Sequence, residues 1–156
     1  MKIIEPSIIL VRPQLPENIG FSARAMQNFG FKELILVSPR EEWPNEKAYE
    51  VSANANKIIK DAKIFTSLNK ALKSFNYVIA TSSRKRFLPK PHINNFKSFF
   101  SKISFNKKIA IVFGPENSGL TNKDLLLCDF LFNIPVSKKN KSLNLSHSVA
   151  VVTHRI

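Results

Sequence analysis

The sequence contains little cysteine, few acidic residues and no long hydrophobic run, and each shortage excludes a class of protein. The single Cys128 cannot form an internal disulfide, and with three scattered histidines it makes no zinc pattern, so we expect no metal. No apolar run approaches the roughly 20 residues of a membrane span, and the opening MKIIEPS is too interrupted for a signal peptide. We therefore expect a cytoplasmic protein without a membrane partner, with Cys128 packed in the core.

The shortage of acidic residues leaves a large positive charge. The 24 lysines and arginines against 11 aspartates and glutamates give a formal net charge of +13. A basic protein favours a polyanionic partner, because each neutralised phosphate releases condensed counterions. Basic clusters at 84–86 and 138–141 flank the polar motifs described below, which favours RNA or DNA over a merely solvated lysine surface.

Glycine is also scarce, and all four copies fall in two polar segments. Gly20 and Gly30 lie in NIGFSARAMQNFG, while Gly114 and Gly119 bracket GPENSG. Glycine allows positive φ and close backbone approach, so its placement indicates where the backbone meets something. Each segment follows a strand-like run, IILV or IAIVF, and leads into a helical pattern. The two segments therefore predict strand-loop-helix corners of the kind that holds ligands in open α/β sheets.

Short apolar runs without alternation predict an α/β fold, with a mainly parallel sheet flanked by helices, in a single domain over 1–156. The predicted strands cover 7–11, 33–37, 63–66, 76–80, 109–113 and 130–134. The predicted helices include one capped by Asn18, segments at 45–60, 68–75 and 94–103, one opened by a capping box at Thr121 and Asp124, and a last one capped by Ser142. In the first helix an apolar stripe of Ile19, Ala23 and Met26 leaves Arg24 on another face, and Gly30 ends the helix.

The usual nucleotide-binding and hydrolase signatures are absent, including G-x-G-x-x-G, the P-loop, G-x-S-x-G and H-E-x-x-H. Three polar motifs stand instead in the order NIGFSAR (18–24), FGPENSGLT (113–121), and IP (134–135) followed by SLNLS (142–146). Together they resemble the SpoU branch of the SPOUT RNA methyltransferases over nearly the whole chain. PENIGFSARAMQNFGF and TSSRKR (81–86) look most like its TrmJ type, which 2′-O-methylates a ribose in the tRNA anticodon loop.

The resemblance implies a C-terminal trefoil knot, S-adenosylmethionine as the cofactor, and a homodimer with active sites near the subunit boundary. The implied catalytic residues are Arg24, Asn18, Glu116, Ser142 and Asn144. The implied cofactor pocket consists of Thr81, Ser82, Ser83, Gly114, Ile134, Lys141, Ser142 and Leu143. The expected RNA-binding residues are Arg24, Arg84, Lys85 and Arg86.

Arg24 is the residue whose implied role most needs a physical argument. The family's corresponding arginine is the proposed general base, but a guanidinium keeps its proton at neutral pH. We therefore expect Arg24 to stabilise the alkoxide that develops on the ribose and to hold the adjacent phosphate. His147 and His154 share a face of the last helix and are expected to pack or to face solvent.

The sequence thus predicts an S-adenosylmethionine-dependent RNA ribose 2′-O-methyltransferase with tRNA as the favoured substrate. An rRNA 2′-O-methyltransferase and a truncated, non-catalytic RNA-binding member of the family are the alternatives. The second alternative arises because TrmJ-type proteins generally carry a C-terminal extension that helps to hold tRNA, and none follows Ile156 here. A purely structural dimer module would instead show no salt-dependent binding to RNA.

Overall fold

The computed structural model describes residues 4–84 and 88–156, and its six strands form one parallel sheet. The strands are β1 (Ser7–Val11), β2 (Leu34–Val37), β3 (Lys63–Phe65), β4 (Tyr77–Ser82), β5 (Ile109–Phe113) and β6 (Phe130–Asn133). Their order is β3-β2-β1-β5-β4-β6, and every pairing is parallel. The predicted α/β fold with a mainly parallel sheet is therefore confirmed.

Helices cover both faces of this sheet. They are α1 (Pro16–Asn28), α2 (Glu46–Val51), α3 (Asn56–Lys60), α4 (Leu68–Leu72), α5 (Phe96–Phe100), α6 (Asn122–Leu126) and α7 (Leu145–Arg155). Ile8 and Leu10 of β1 enter the core that α1, α2, α3, α5 and α7 cover, whereas Ile9 and Val11 enter the core beneath α4 and α6. Successive strand residues point to opposite faces, so both faces are apolar and the runs show no alternation.

In neither described stretch is a helix long and apolar enough to cross a membrane. The trefoil knot that the resemblance implies stays a prediction.

Helix α1 begins two residues before the predicted cap. Pro16 occupies the first turn, where its missing N–H costs nothing, and the N-cap position makes no side-chain bond. Asn18 therefore lies inside the helix, so the prediction that it caps α1 was wrong. The predicted end is confirmed: Gly30 has φ +83°, and the N–H of Phe31 donates to the carbonyl oxygen of Met26 at 2.9 Å.

Helix α7 is capped by Asn144 and not by Ser142, so that prediction was also wrong. The Asn144 Oδ1 accepts the backbone N–H of Ser146 at 2.9 Å, whereas Ser142 lies two residues earlier in an exposed loop. An asparagine at the N-cap position satisfies the first N–H groups of a helix as well as serine does. The capping box of Thr121 and Asp124 is confirmed at the start of α6.

The predicted helix over 45–60 is interrupted, because Ala53 has a φ of +50° between α2 and α3. Just before the break, the Ser52 hydroxyl is fully buried and donates to the Tyr49 carbonyl oxygen at 2.9 Å. A hydroxyl that bonds its own backbone competes with helix continuation. The helices predicted at 68–75 and 94–103 are also shorter than expected, ending at Leu72 and Phe100.

Gly20 permits the close contact between α1 and α2. A Cβ on Gly20 would lie 2.2 Å from the Ala48 carbonyl oxygen and 2.6 Å from Val51 Cγ2. Backbone atoms cannot yield as a flexible side chain would, so a methyl group here must push the two helices apart.

We predict that Gly20→Ala lowers the free energy of unfolding by about 2 kcal/mol, measured by urea denaturation. Gly30→Asn is the matched control, because a Cβ at Gly30 meets nothing within 4 Å and asparagine tolerates its positive φ. Equal stability losses in the two variants would contradict the proposed close contact.

Candidate functional site

The two predicted corners adjoin because β1 and β5 are neighbours in the sheet. β1 continues into 12–15 and α1, and β5 continues into the loop 114–121. The chain moves from β1 outward through β2 to β3, whereas β4 and β6 lie on the far side of β5. A change of direction of this kind opens a crevice at the carboxyl ends of the central strands, where α/β proteins bind ligands.

Glu116 joins the two corners. Its carboxylate accepts the backbone N–H groups of Gln14 at 2.9 Å and Leu15 at 3.2 Å, and the Asn18 Nδ2 amide at 2.9 Å. These N–H groups lie at the start of α1, where backbone donors lack helical partners and a negative charge is favoured. Glu116 thus supplies from the neighbouring corner the cap that α1 does not supply itself.

Asn144 extends this network to a third segment of the chain. Its Nδ2 donates to Asn18 Oδ1 at 3.1 Å, and its Oδ1 accepts the Ser146 hydroxyl at 2.7 Å. A line of hydrogen bonds therefore runs from Glu116 through Asn18 to Asn144. Three of the five predicted catalytic residues come together, although their roles stay predictions.

One cleft collects the predicted cofactor residues. It lies beyond the carboxyl ends of β4, β5 and β6 and contains about 630 Å³ of unfilled space, the opening to solvent included. Its lining includes all eight predicted residues, namely Thr81, Ser82, Ser83, Gly114, Ile134, Lys141, Ser142 and Leu143. Glu116 also lines the cleft, so the network begins at its wall.

The polar side chains at the end of β4 are already satisfied within the protein. The Thr81 hydroxyl donates to the Val112 carbonyl oxygen at 2.9 Å, and the Ser82 hydroxyl donates to that of Arg84 at 2.8 Å. A ligand in the cleft would therefore meet other groups, among them the polar side chains of Lys141 and Ser142 and the apolar side chains of Ile134 and Leu143. This mixture of a few polar groups with apolar walls is typical of small-molecule sites.

Gly114 is required by the loop that forms the cleft. A Cβ at this position would lie 2.3 Å from the backbone nitrogen of Leu120 and 2.4 Å from the carbonyl carbon of Gly119. Both contacts are with backbone, so a side chain would displace the loop.

Arg24 lies in a different depression, which we call the α1–α7 groove. Its lining includes Asn18, Phe21, Arg24, Asn144 and His147, and none of the described residues lines both this groove and the cleft. Within residues 4–84 and 88–156 the exposed Arg24 side chain makes no hydrogen bond or ion pair. The hydrogen bond between Glu116 and Asn18 is the link between cleft and groove.

Sequence reasoning missed the ion pair between Arg12 and Asp124. The Nη2 of Arg12 lies 2.5 Å from Asp124 Oδ2, and its Nη1 lies 3.3 Å from Oδ1. Burial raises the pKa of Asp124, but hydrogen bonds from Arg12 and Thr121 outweigh it and hold the pKa below its usual value. Nothing local in the sequence signals a pair separated by 112 residues.

Cys128 is buried, and this burial raises the pKa of its thiol to about 12, which agrees with a packing role.

Arg84 is exposed and lines the cleft, whereas Lys85 and Arg86 lie outside the described residues. His147 is exposed, and the ring of His154 packs edge-on against Phe29 at 5.4 Å.

Comparison with known proteins gives a consistent result. Residues 5–154 match the model of the SpoU rRNA Methylase family. An "Uncharacterized tRNA/rRNA methyltransferase" of Haemophilus influenzae is 38% identical over 96% of this chain and 61% of its own length. The "tRNA (cytidine-2'-O-)-methyltransferase TrmJ" of Methanocaldococcus jannaschii is 38% identical over 99% of this chain and 68% of its own.

A solved structure agrees with the sequence matches. The crystal structure of TrmJ from Z. mobilis ZM4 superposes with a TM-score of 0.89 at 38% identity, covering 96% of this chain and 67% of that one. The chain thus spans about three fifths of the Haemophilus relative and about two thirds of the other two proteins.

We predict that Glu116→Gln destabilises the fold by about 2 kcal/mol, because a hydrogen bond to a charged group contributes roughly 1.5–3 kcal/mol. The amide would place its own NH₂ among donors from Gln14, Leu15 and Asn18. The measurement is urea denaturation beside Glu50→Gln, an exposed carboxylate on α2. Two unfolding curves that coincide would show that the carboxylate does not hold the corners together.

Proposed function

Because the chain belongs to the SpoU rRNA methylase family, we propose that it is an S-adenosylmethionine-dependent RNA ribose 2′-O-methyltransferase that acts on the tRNA anticodon loop. The observation that carries the proposal is the link from the cleft, through Glu116, Asn18 and Asn144, to a groove with an exposed arginine. The names of the TrmJ relatives support tRNA as the substrate.

The cleft fits S-adenosylmethionine. Ile134 and Leu143 offer apolar surface to the adenine, and the backbone near Gly114 and Ser142 offers hydrogen-bonding groups to the ribose and the amino acid part. Gly114 keeps the loop close enough for such contacts, since any side chain there would push it away. When bound, the cofactor supplies a methyl group on a positively charged sulfur.

Arg24 is proposed to act on the other reactant, the RNA ribose. The 2′-oxygen forms its new bond to the methyl carbon as the carbon–sulfur bond breaks, and the hydroxyl proton leaves to a phosphate oxygen or water. The Arg24 guanidinium stabilises the negative charge that develops on the 2′-oxygen and binds the adjacent phosphate. It keeps its own proton throughout, so it does not act as the base.

Asn18 and Asn144 are proposed to hold the reactants in line. Asn18 uses both ends of its amide in the network that starts at Glu116, whereas Asn144 uses its Nδ2 there and its Oδ1 to cap α7. These bonds fix both side chains at the edge of the α1–α7 groove. Reactions between two bound groups gain a large part of their rate from such orientation. Ser142, at the rim of the cleft, is proposed to orient the cofactor side of the reaction.

We also propose that the protein acts as a homodimer. Phe21 of α1 and Phe29, which follows the last residue of α1, are more than two fifths exposed, which favours a covered face. In this proposal Arg24 serves the cleft of the partner chain, because none of the described residues lines both its groove and the cleft of its own chain.

The test is transfer of labelled methyl groups from S-adenosylmethionine into total RNA, followed by mapping of the modified ribose. We expect label in tRNA, and a loss of about 10²–10³-fold in kcat for Arg24→Ala, the size seen when a transition-state donor is removed. Asn144→Ala should also lower kcat. Arg40→Ala is the control: it removes an exposed arginine in the loop after β2, and it should retain activity.

If the label appeared in rRNA alone, the substrate would be rRNA, and the proposal of tRNA would be wrong. Near-normal turnover in both Arg24→Ala and Asn144→Ala would contradict the site assignment. Calorimetric titration with S-adenosylmethionine separates these cases from a folding defect, because Arg24→Ala should still bind the cofactor.

The dimer is tested by mixing two inactive variants, Arg24→Ala and Gly114→Ala. If Arg24 serves the partner's cleft, a mixed dimer contains one site with both an intact cleft and an intact arginine, so activity should return. If Arg24 serves its own cleft, every site in the mixture lacks one of the two and the mixture stays inactive.

A further inference from the structure

A third depression, which we call the basic groove, continues from the cleft. Ser83, Arg84, Ile134 and Lys141 line both. The basic groove then extends past the end of β6, and its additional lining residues are Asn133, Pro135, Val136, Ser137 and Lys138. A molecule whose reacting atom lies in the cleft can therefore extend into this groove without leaving the surface.

The groove combines an apolar floor with a cationic rim. The floor is formed by Ile134, Pro135 and Val136, and the rim carries the exposed side chains of Arg84, Lys138 and Lys141. No carboxylate is among the lining residues that the structure describes. The rim cations also make no ion pair in that part of the chain, so their charge is available to a ligand.

We propose that the basic groove binds an unpaired nucleotide adjacent to the methylated one, with its base on the floor at Pro135 and Val136 and its phosphates at Arg84 and Lys138. This inference rests on the proposed function and adds to it which neighbouring part of the RNA is read. It also assigns to Lys138 and Val136 a role in substrate binding.

The combination of floor and rim favours an unpaired nucleotide over a helical one. In an RNA helix the base faces are stacked and only phosphates and groove edges meet a protein, so an apolar floor would gain nothing. A splayed base instead covers apolar surface while its flanking phosphates meet the cations. The tRNA anticodon loop, which is the proposed substrate, contains unpaired nucleotides of this kind.

The electrostatic half of the proposal is tested with Lys138→Gln against Lys108→Gln. Both lysines are exposed, but Lys108 directly precedes β5 and so lies at the amino ends of the strands, opposite the end where the cleft lies. For a single-stranded RNA oligonucleotide, Lys138→Gln should weaken binding several-fold and reduce the slope of log K against log salt by about 0.7, one phosphate contact. Lys108→Gln should change neither quantity.

The apolar half is tested with Val136→Ser. We expect weaker binding of the single-stranded oligonucleotide with an unchanged salt slope, and no change for a duplex of the same length. Thermal unfolding and titration with S-adenosylmethionine check that fold and cleft are intact in each variant.

The outcomes separate this inference from the proposed function. If the wild-type protein transfers no methyl group to RNA, the proposed function fails. If it does, but Lys138→Gln binds RNA as Lys108→Gln does, the basic groove is not part of the substrate site. If Lys138→Gln weakens single-stranded and duplex binding equally and Val136→Ser weakens neither, the groove contacts only phosphates, and the unpaired nucleotide is excluded.

Discussion

The arrangement of the whole site depends on one carboxylate that caps a helix it does not belong to. Glu116 follows β5, yet it accepts the N–H groups of Gln14 and Leu15 at the start of α1. Strand pairing already brings β1 and β5 side by side, but it fixes only the strands. The carboxylate fixes the loops beyond them, because several donors converge on one charged group and each bond is lost if the loops separate. Glu116 lines the cleft and its partner Asn18 lines the α1–α7 groove, so the same carboxylate also fixes the position of the cleft relative to the groove.

The same polar line also places the last helix. α7 packs on α1 through apolar side chains, a contact that by itself allows small shifts along the helix axis. Asn144 removes that freedom, since one end of its amide caps α7 and the other end binds Asn18 inside α1. Hydrogen bonds of this kind specify one arrangement among several that an apolar contact would permit. Asn18 and Asn144, which have proposed roles in the reaction, thus also fix the geometry of their own site.

Sequence reasoning predicted the sheet better than the helix ends, for a physical reason. A strand such as Ile109–Phe113 is buried on both faces, so its run of apolar residues is visible without any knowledge of its neighbours. A helix can be capped by any of several polar residues near its start. Asn18 was predicted as the cap because asparagine is a favoured residue type at that position. The structure uses it instead to bind Glu116, 98 residues away, and no local pattern reveals such a contact. The resemblance to a family did predict residues that line one cleft. It could do so because a family pattern carries information on long-range contacts, which the spacing of residues along one sequence lacks.

The distribution of the few acidic residues explains why the surface around the site stays positive. Two of the eleven carboxylates, Glu116 and Asp124, turn towards the β1 corner, where they hold the loop and α6 in place. They are therefore occupied with backbone and with Arg12, and they do not neutralise the cations at the openings. Arg24, Arg84 and Lys138 form no ion pair within the described residues, so their charges are not neutralised by neighbouring carboxylates. A bound polyanion would neutralise them and release its own counterions, which is why this charge pattern favours a nucleic acid at the site over a neutral substrate.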